Sequence, residues 1–280
     1  MSISGKTKVI GILGHPVGHT ASPAMHNAAF RSLNLDYVYI PLGVTPPYLG
    51  TAMHAIKAFD WVGVNVTIPF KESVIPFLDK LTPMAKKIGA VNTIINHDGQ
   101  LIGYNTDGEG FMSALIEETQ FNPADKNIAI LGSGGSAKAI AFSLITQHPK
   151  QLHLINRTPD RAKQLQSQLK KHTPIPVSCS GADVLRDCHL IINTTPVGMT
   201  PDIDAMPVTQ LDWVSPGQVV CDIIYNPLET NFLHRCRSKG ATTVNGVGML
   251  AGQGALAFQL FTGHHIPIQF FRNEVNKAVC

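Results

Sequence analysis

Apolar and polar positions along the chain follow two rhythms. The short runs KVIGILG, YVYIPL and WVGVNVTI are apolar throughout and read as strands covered on both faces. Between the first two, SPAMHNAAFRSL brings apolar residues to Met25, Ala29 and Leu33. That spacing is helical, with Ser22 as the expected cap and Pro23 at the first helical position. Pro46 and Pro47 open a second helical stretch, YLGTAMHAIKAF. Strand and helix therefore take turns, as a mostly parallel sheet requires. VNTII and GQLIGYN read as a hairpin turning over NHDG, and KESVIPFL as a short helix.

A second series begins near residue 127. NIAILGSGGSAKAIAFSLI is a buried strand, a glycine turn and an apolar helix; QLHLINRT and PDRAKQLQSQL repeat the pair. HLIINTTP and QVVCDIIYNP add strands, and the whole reads as an open nucleotide-binding sheet. The tail, NGVGMLAGQGALAFQLFTG followed by PIQFFRNEVNKAV, is helical and apolar enough to pack against another element. No independent strand set follows residue 244, so the tail is expected to return to the first domain. The change of rhythm puts the domain boundary near Asp107.

Composition narrows the function. An apolar fraction of 44% argues against disorder, and a net charge of +3 without a basic tract excludes a nucleic-acid footprint. The slight positive excess suits an anionic small molecule. Cys179, Cys188, Cys221, Cys236 and Cys280 stand far apart with no CxxC pair, as expected of free thiols in a reducing compartment. No segment is long and apolar enough to cross a bilayer, and a soluble cytoplasmic protein without membrane partners is expected.

The glycine turn GSGGSAKA carries the sharpest chemistry. Gly132 and Gly134 match the first two glycines of GxGxxG, Ala137 takes the third position and Gly135 is extra; the turn follows a strand and opens a helix, as the motif requires. Gly132 permits the tight turn, Gly134 admits a pyrophosphate to the backbone amides, and Ala137 lets helix and strand pack closely. The next strand ends in Asn156, Arg157 and Thr158, where an NAD site usually has a carboxylate. Arg157 can pair with a 2′-phosphate and Thr158 can donate a hydroxyl, so NADP is favoured over NAD.

In the first domain, Thr20, Ser22, His26 and Asn27 surround a helix start that could receive an anion. His15, His19 and His26 have no acidic or cysteine ligand near them in sequence, and no metal is expected. Lys71, Asn92, Asn105, Thr106 and Asp107 are the remaining polar candidates. Taken singly, Ser22, Thr106 and Asp107 have ordinary employment as helix caps and Lys71 as a surface lysine. Together, Lys71 and Asp107 each stand at an expected strand-to-helix junction, on the side of a parallel sheet where ligands bind.

GHPVGHTASPAMHNAAF, GVNVTIPFK, GAVNTI, GYNTDGEGF, GSGGSAKA, INRT, NTTPVGM, DIIYNP and GMLAGQGALAF together resemble, in order, the successive signatures of the shikimate dehydrogenase family. The resemblance implies an α/β enzyme that reduces 3-dehydroshikimate to shikimate with NADPH in aromatic amino-acid biosynthesis. It implies a parallel-sheet substrate domain over residues 1–106, a Rossmann-like NADP domain over 107–242, and C-terminal helices over 243–280 that complete the first domain. Lys71 and Asp107 match the family's catalytic lysine and aspartate; Thr20, Ser22, Thr67, Asn92, Tyr225 and Gln253 match its substrate contacts. The cofactor set becomes Gly132, Ser133, Gly134, Gly135, Ser136, Ala137, Asn156, Arg157, Thr158, Thr194, Met199 and Gly246. One departure is Thr20, which stands where the family has serine; the hydroxyl is kept, and the added methyl restricts its rotamers. A quinate/shikimate dehydrogenase of broader specificity, a methylenetetrahydrofolate dehydrogenase and a non-catalytic nucleotide-binding sensor are the rival readings, and the assembly is expected to be a monomer or homodimer.

Overall fold

The structure is a computed structural model that describes residues 3–279; the expected thiol of Cys280 lies outside the described residues. The first strands and helices follow the sequence pattern: β1 (Lys8–Gly14), α1 (Ser22–Ser32), β2 (Tyr37–Gly43), α2 (Leu49–Ala58) and β3 (Gly63–Val66). After the two-residue β4 (Lys80–Leu81) comes α3 (Pro83–Ile88), whose Thr82 side chain accepts the Ala85 amide and whose Gly89 ends the helix at φ 66°. β5 (Thr93–His97) and β6 (Gln100–Tyr104) form the expected hairpin. Asp98 and Gly99, at φ 50° and 80°, make the tight turn between them. The sheet order is β2-β1-β3-β5-β6-β4, parallel through β2, β1 and β3 and antiparallel where β5 meets its neighbours.

α4 (Asp107–Thr119) leads into a second sheet: β7 (Asn127–Leu131), α5 (Gly135–Ile145), β8 (Gln151–Ile155), α6 (Pro159–Leu169), β9 (Val177–Cys179), β10 (Leu190–Asn193), β11 (Val219–Asp222), α7 (Asn231–Ser238) and β12 (Thr242–Val244). Its order is β12-β11-β10-β7-β8-β9, and every pairing is parallel. This is the doubly wound arrangement, with the order reversing between β7 and β10. α8 (Val247–Thr262) and α9 (Ile268–Val279) close the chain.

The chain divides into two compact units. One comprises the residues up to Asp107 together with Ala251–Ala278, and the other is Gly108–Leu250. The division thus falls after Asp107 and after Leu250, where the sequence reading placed it after residues 106 and 242. A cut after 242 would divide β12 after its first residue, although all three of its residues pair with β11. Asp107 and the returning residues Ala251–Ala278 belong with the first sheet.

The first unit has an aliphatic core of Leu13, Met53, Val64, Val66, Phe70 and Ile94. On the side of α1 it has an aromatic cluster in which Phe30, Tyr39, Phe258, Phe261 and Phe271 surround His26. The second unit packs Leu131, Ile191, Val220, Phe232 and Leu233 beneath its sheet. Two local expectations change. Ala21, not Ser22, holds the cap position of α1, because Ser22 is already helical and its hydroxyl accepts from Thr20. KESVIPFL forms turns and a short 3-10 segment, Ile75–Phe77, rather than an α-helix; Pro76 has no amide proton and disfavours the α conformation in the residue before it.

Candidate active site

Sheet topology collects the polar residues of the first unit. β1 and β3 run parallel with Leu13 beside Val66, so the segment after Gly14 and the segment beginning at Thr67 leave the sheet at the same end. The His15 amide donates to the Ile68 carbonyl at 3.0 Å and the Thr67 amide to the Leu13 carbonyl at 2.9 Å, which laces the two exits together. β5 is antiparallel, so Asn92 enters where β3 leaves; β6 then returns to that end and delivers Thr106 and Asp107.

There Lys71 Nζ donates to Asp107 Oδ2 at 2.5 Å, with side chains only 14% and 5% exposed. The Lys71 carbonyl accepts from the Val91 amide at 2.7 Å, so the turn that carries the lysine is tied to the strand that carries Asn92. Asn92 Nδ2 donates to Asp107 Oδ1 at 2.7 Å and to Thr106 Oγ1 at 2.8 Å, with Gln253 Oε1 at 3.5 Å. Thr106 Oγ1 donates to the Gln253 carbonyl at 3.2 Å, which joins α8 to the same cluster. Asp107 is thus held on both oxygens, one by an amide and one by an ammonium. Buried ions need such full pairing to be tolerated. Thr20 and Ser22 form their own pair at 3.2 Å at the start of α1.

Sequence reasoning named Thr106 as a polar candidate but did not assign it a site role, and it missed Tyr39, Asn65 and Thr93. Tyr39 Oη donates to Asn65 Oδ1 at 2.7 Å, and Asn65 and Thr93 connect onward to Asn92. The available signal was a lone asparagine inside the otherwise apolar GVNV.

In the second unit, the glycine turn has the features a dinucleotide needs. Gly132 sits at φ 112°, and a Cβ there would run into the Thr194 hydroxyl. At Gly134 a Cβ would meet nothing within 4 Å, and α5 begins there with no side-chain cap. Ser133 Oγ is buried beside that helix start without a hydrogen-bond partner among the described residues. Uncapped amides and an unpartnered hydroxyl at a helix start fit a bound phosphate. Gly135, Ser136 and Ala137 form the first turn of α5, with Ala137 fully buried. At the end of β8, Asn156 donates to the Thr158 carbonyl at 2.8 Å, while the Arg157 and Thr158 side chains are exposed.

The remaining expected residues lie on the loops of the same sheet. The Thr194 hydroxyl donates to the Leu131 carbonyl at 2.7 Å. Met199 is half-buried after Gly198, and Tyr225 is half-buried between β11 and α7. Gly246 has a packing reason to be glycine, since a Cβ would collide with the Ile223 carbonyl. Asp222, 1% exposed, accepts from Asn193 at 3.1 Å, from the Ile224 amide at 3.1 Å and from the Thr230 hydroxyl at 2.9 Å. It pins the start of the Tyr225 loop to the start of NTTPVGM. Burial pushes its carboxyl up to about 6, against the pull of those hydrogen bonds. Among the described residues, no group of three or more His, Cys, Asp or Glu side chains could hold a metal ion, and no helix is long and apolar enough to cross a membrane.

Three family models match the chain: the shikimate dehydrogenase substrate binding domain over residues 12–94, shikimate / quinate 5-dehydrogenase over 115–208, and the shikimate 5'-dehydrogenase C-terminal domain over 246–275. A curated relative from Desulforamulus reducens, named shikimate dehydrogenase (NADP(+)), is 44% identical over 283 residues, covering 99% of this chain and 97% of its own. A crystal structure of a shikimate dehydrogenase in complex with NADP+ superposes with a TM-score of 0.94 at 43% identity, covering 100% of this chain and 98% of that one. The Thermus thermophilus enzyme, in complex with NADP(H) and shikimate, does so with a TM-score of 0.88 at 34% identity, over 97% and 99% of the two chains. With the Lys71–Asp107–Asn92 cluster at the end of one sheet and the glycine turn at the end of the other, the chain belongs to the shikimate dehydrogenase family.

Proposed function

We infer that this protein interconverts 3-dehydroshikimate and shikimate with NADP as its cofactor, Lys71 and Asp107 forming the catalytic pair. The observation that carries the assignment of roles is the buried ion pair at 2.5 Å, with Asn92 holding the second carboxylate oxygen. The relatives' names and the ligands of their structures support the substrate and cofactor. The cysteines among the described residues are unpaired, which suits the reducing cytoplasm as its location.

NADPH, when bound, would supply the hydride for the reduction. The chain's own work concerns the oxygen. The Lys71 ammonium hydrogen-bonds the carbonyl oxygen, meets the negative charge that develops there and transfers a proton to it; in the reverse direction the neutral amine takes that proton back. Asp107 Oδ2 keeps the ammonium in one place, and Asn92 keeps Asp107 from turning. Thr20, Ser22, Thr67, Asn92 and Gln253, with Tyr225 from the later segment, bind the substrate's hydroxyls and carboxylate. Gly132 to Ala137 and Thr194 receive the cofactor's phosphates, and Asn156, Arg157 and Thr158 its ribose phosphate. Met199 and Gly246 complete the cofactor set.

The test is a spectrophotometric assay of NADP and NAD reduction with shikimate and with quinate, on the wild type and Lys71→Ala. Loss of a positioned proton donor lowers kcat by about 10²–10⁴-fold, while shikimate still binds the variant. NADP reduction with shikimate far above that with quinate is the expected wild-type pattern. Comparable rates with both acids would favour the broader quinate/shikimate activity. A wild type that reduces neither cofactor would overturn the reading.

A further inference from the structure

Resting on that reading, we propose that Thr93 is a positioning residue for the Lys71–Asp107 pair. It acts through Asn92, in a buried chain of hydrogen bonds whose direction is set by the Tyr39 hydroxyl. Tyr39, Asn65 and Thr93 stand behind Asn92 in that chain, and each determines which way the next group points.

The order follows from the donors each group has to give. Tyr39 Oη donates to Asn65 Oδ1 at 2.7 Å, so the Asn65 amide group faces the other way. There Asn65 Nδ2 donates to the Asn92 carbonyl at 3.2 Å and to Thr93 Oγ1 at 3.0 Å. Thr93 has one proton to give, and it goes to Asn92 Oδ1 at 3.0 Å. The Thr106 amide donates to that same oxygen at 2.9 Å. With its oxygen claimed by two donors, Asn92 turns Nδ2 toward Asp107 Oδ1 and Thr106 Oγ1, and Asp107 Oδ2 is left to face Lys71. A reversed Asn92 would set its oxygen against a carboxylate and its amide group against the Thr106 N–H, leaving buried donors and acceptors unpaired.

The origin of the chain is rigid. Tyr39 stacks on His26 with centroids 4.4 Å apart and planes 6° from parallel. Its backbone N–H and carbonyl are both held by the Asn27 side chain, at 2.9 and 2.8 Å. Tyr39, Asn65, Thr93 and Asn92 are 1%, 5%, 0% and 2% exposed, so water does not compete for these bonds. The catalytic carboxylate is therefore oriented from the aromatic core beside α1 as well as from the lysine that it holds.

The experiment compares wild type with Thr93→Val, Thr93→Ser and Tyr39→Phe, reading kcat and KM for shikimate at saturating NADP together with the ¹⁵N resonances and solvent exchange of the Asn92 side-chain amide. Thr93→Val, which keeps the shape and removes the hydroxyl, should lower kcat by about tenfold with KM changed by less than about twofold. Thr93→Ser should restore kcat, Tyr39→Phe should fall between, and the Asn92 amide should shift and exchange faster in the valine variant. Wild-type kcat in Thr93→Val, a loss not rescued by serine, or one confined to KM or melting temperature would overturn the proposal. If the wild type oxidises neither shikimate nor quinate, the functional reading fails instead. The Asn92 amide then decides by itself: unmoved in Thr93→Val it refutes the positioning role, and displaced it upholds it.

Discussion

The two ends of the molecule's sheets are prepared in opposite ways. In the first unit, Lys71, Asp107, Asn92 and Thr106 are bonded to one another and to the core behind them. In the second, the glycine turn has a buried serine hydroxyl without a partner among the described residues and a helix start without a side-chain cap. The difference follows from the work proposed for each. A group that must move a proton has to be aimed before the reaction, and fixed hydrogen bonds supply the aim without reorganisation in the transition state. A surface that grips phosphates must keep its donors uncommitted, because a donor already paired inside the protein has less to offer an anion.

The largest effect that would test this contrast is at Asn92. Asn92→Ala removes the bonds to Thr106, Asp107 and Thr93 together and should lower kcat by about 10²–10³-fold and stability by about 2–3 kcal/mol, read from steady-state rates and urea denaturation. A variant that stayed fully active would break the comparison at its stronger side.

A smaller effect concerns His26, which is fully buried with both ring nitrogens unpartnered among the described residues. Burial among Phe30, Tyr39, Phe258, Phe261 and Phe271 lowers its pKa from 6.5 to about 3, and no charged side chain stands in that ring contact set. Between those values the unfolded chain binds a proton that the native chain does not. Its contribution to stability is therefore present above pH 6.5 and is lost as pH falls toward 3. His26→Phe removes the titration, so its urea midpoint should fall less than that of wild type between about pH 7 and about pH 4. Equal acid sensitivity in the two proteins would show that His26 does not carry it.

The smallest effect is at the glycine turn. Ser133→Ala should raise KM for NADP by about three- to tenfold and leave the urea midpoint unchanged, because the hydroxyl has no internal bond to lose among the described residues. A destabilised variant with normal NADP kinetics would mean that Ser133 serves the fold instead.

What the sequence made legible depended on the range of the interaction. Runs such as KVIGILG and NIAIL, the NHDG turn and the glycine-rich start of α5 are local patterns, and the structure has an element at each. Lys71 and Asp107, 36 residues apart, could be placed at the same side of the sheet from their strand-to-helix junctions, and the family resemblance then made them a pair. The relay behind them was not legible, because Tyr39, Asn65 and Thr93 meet through strand pairings at separations of 26 and 28 residues. A threonine in VNTII reads as a strand former, and only the register of β3 against β5 turns it into a hydrogen-bond donor aimed at Asn92. KESVIPFL misled for the opposite reason: its apolar spacing suits a helix, and one proline overrules it.

The first unit is made of two stretches of chain separated by the whole of the second. During synthesis, His26 and Tyr39 emerge early, while Phe258, Phe261 and Phe271, which close around His26, come last. Gly108–Leu250 is complete before any of those three rings has been made. The order of translation therefore lets the inserted unit fold first and keeps the amino-terminal sheet waiting with an uncovered apolar flank. A nascent chain halted just after Leu250 would carry a finished glycine turn, while Asn92 and Thr106 still lacked Gln253.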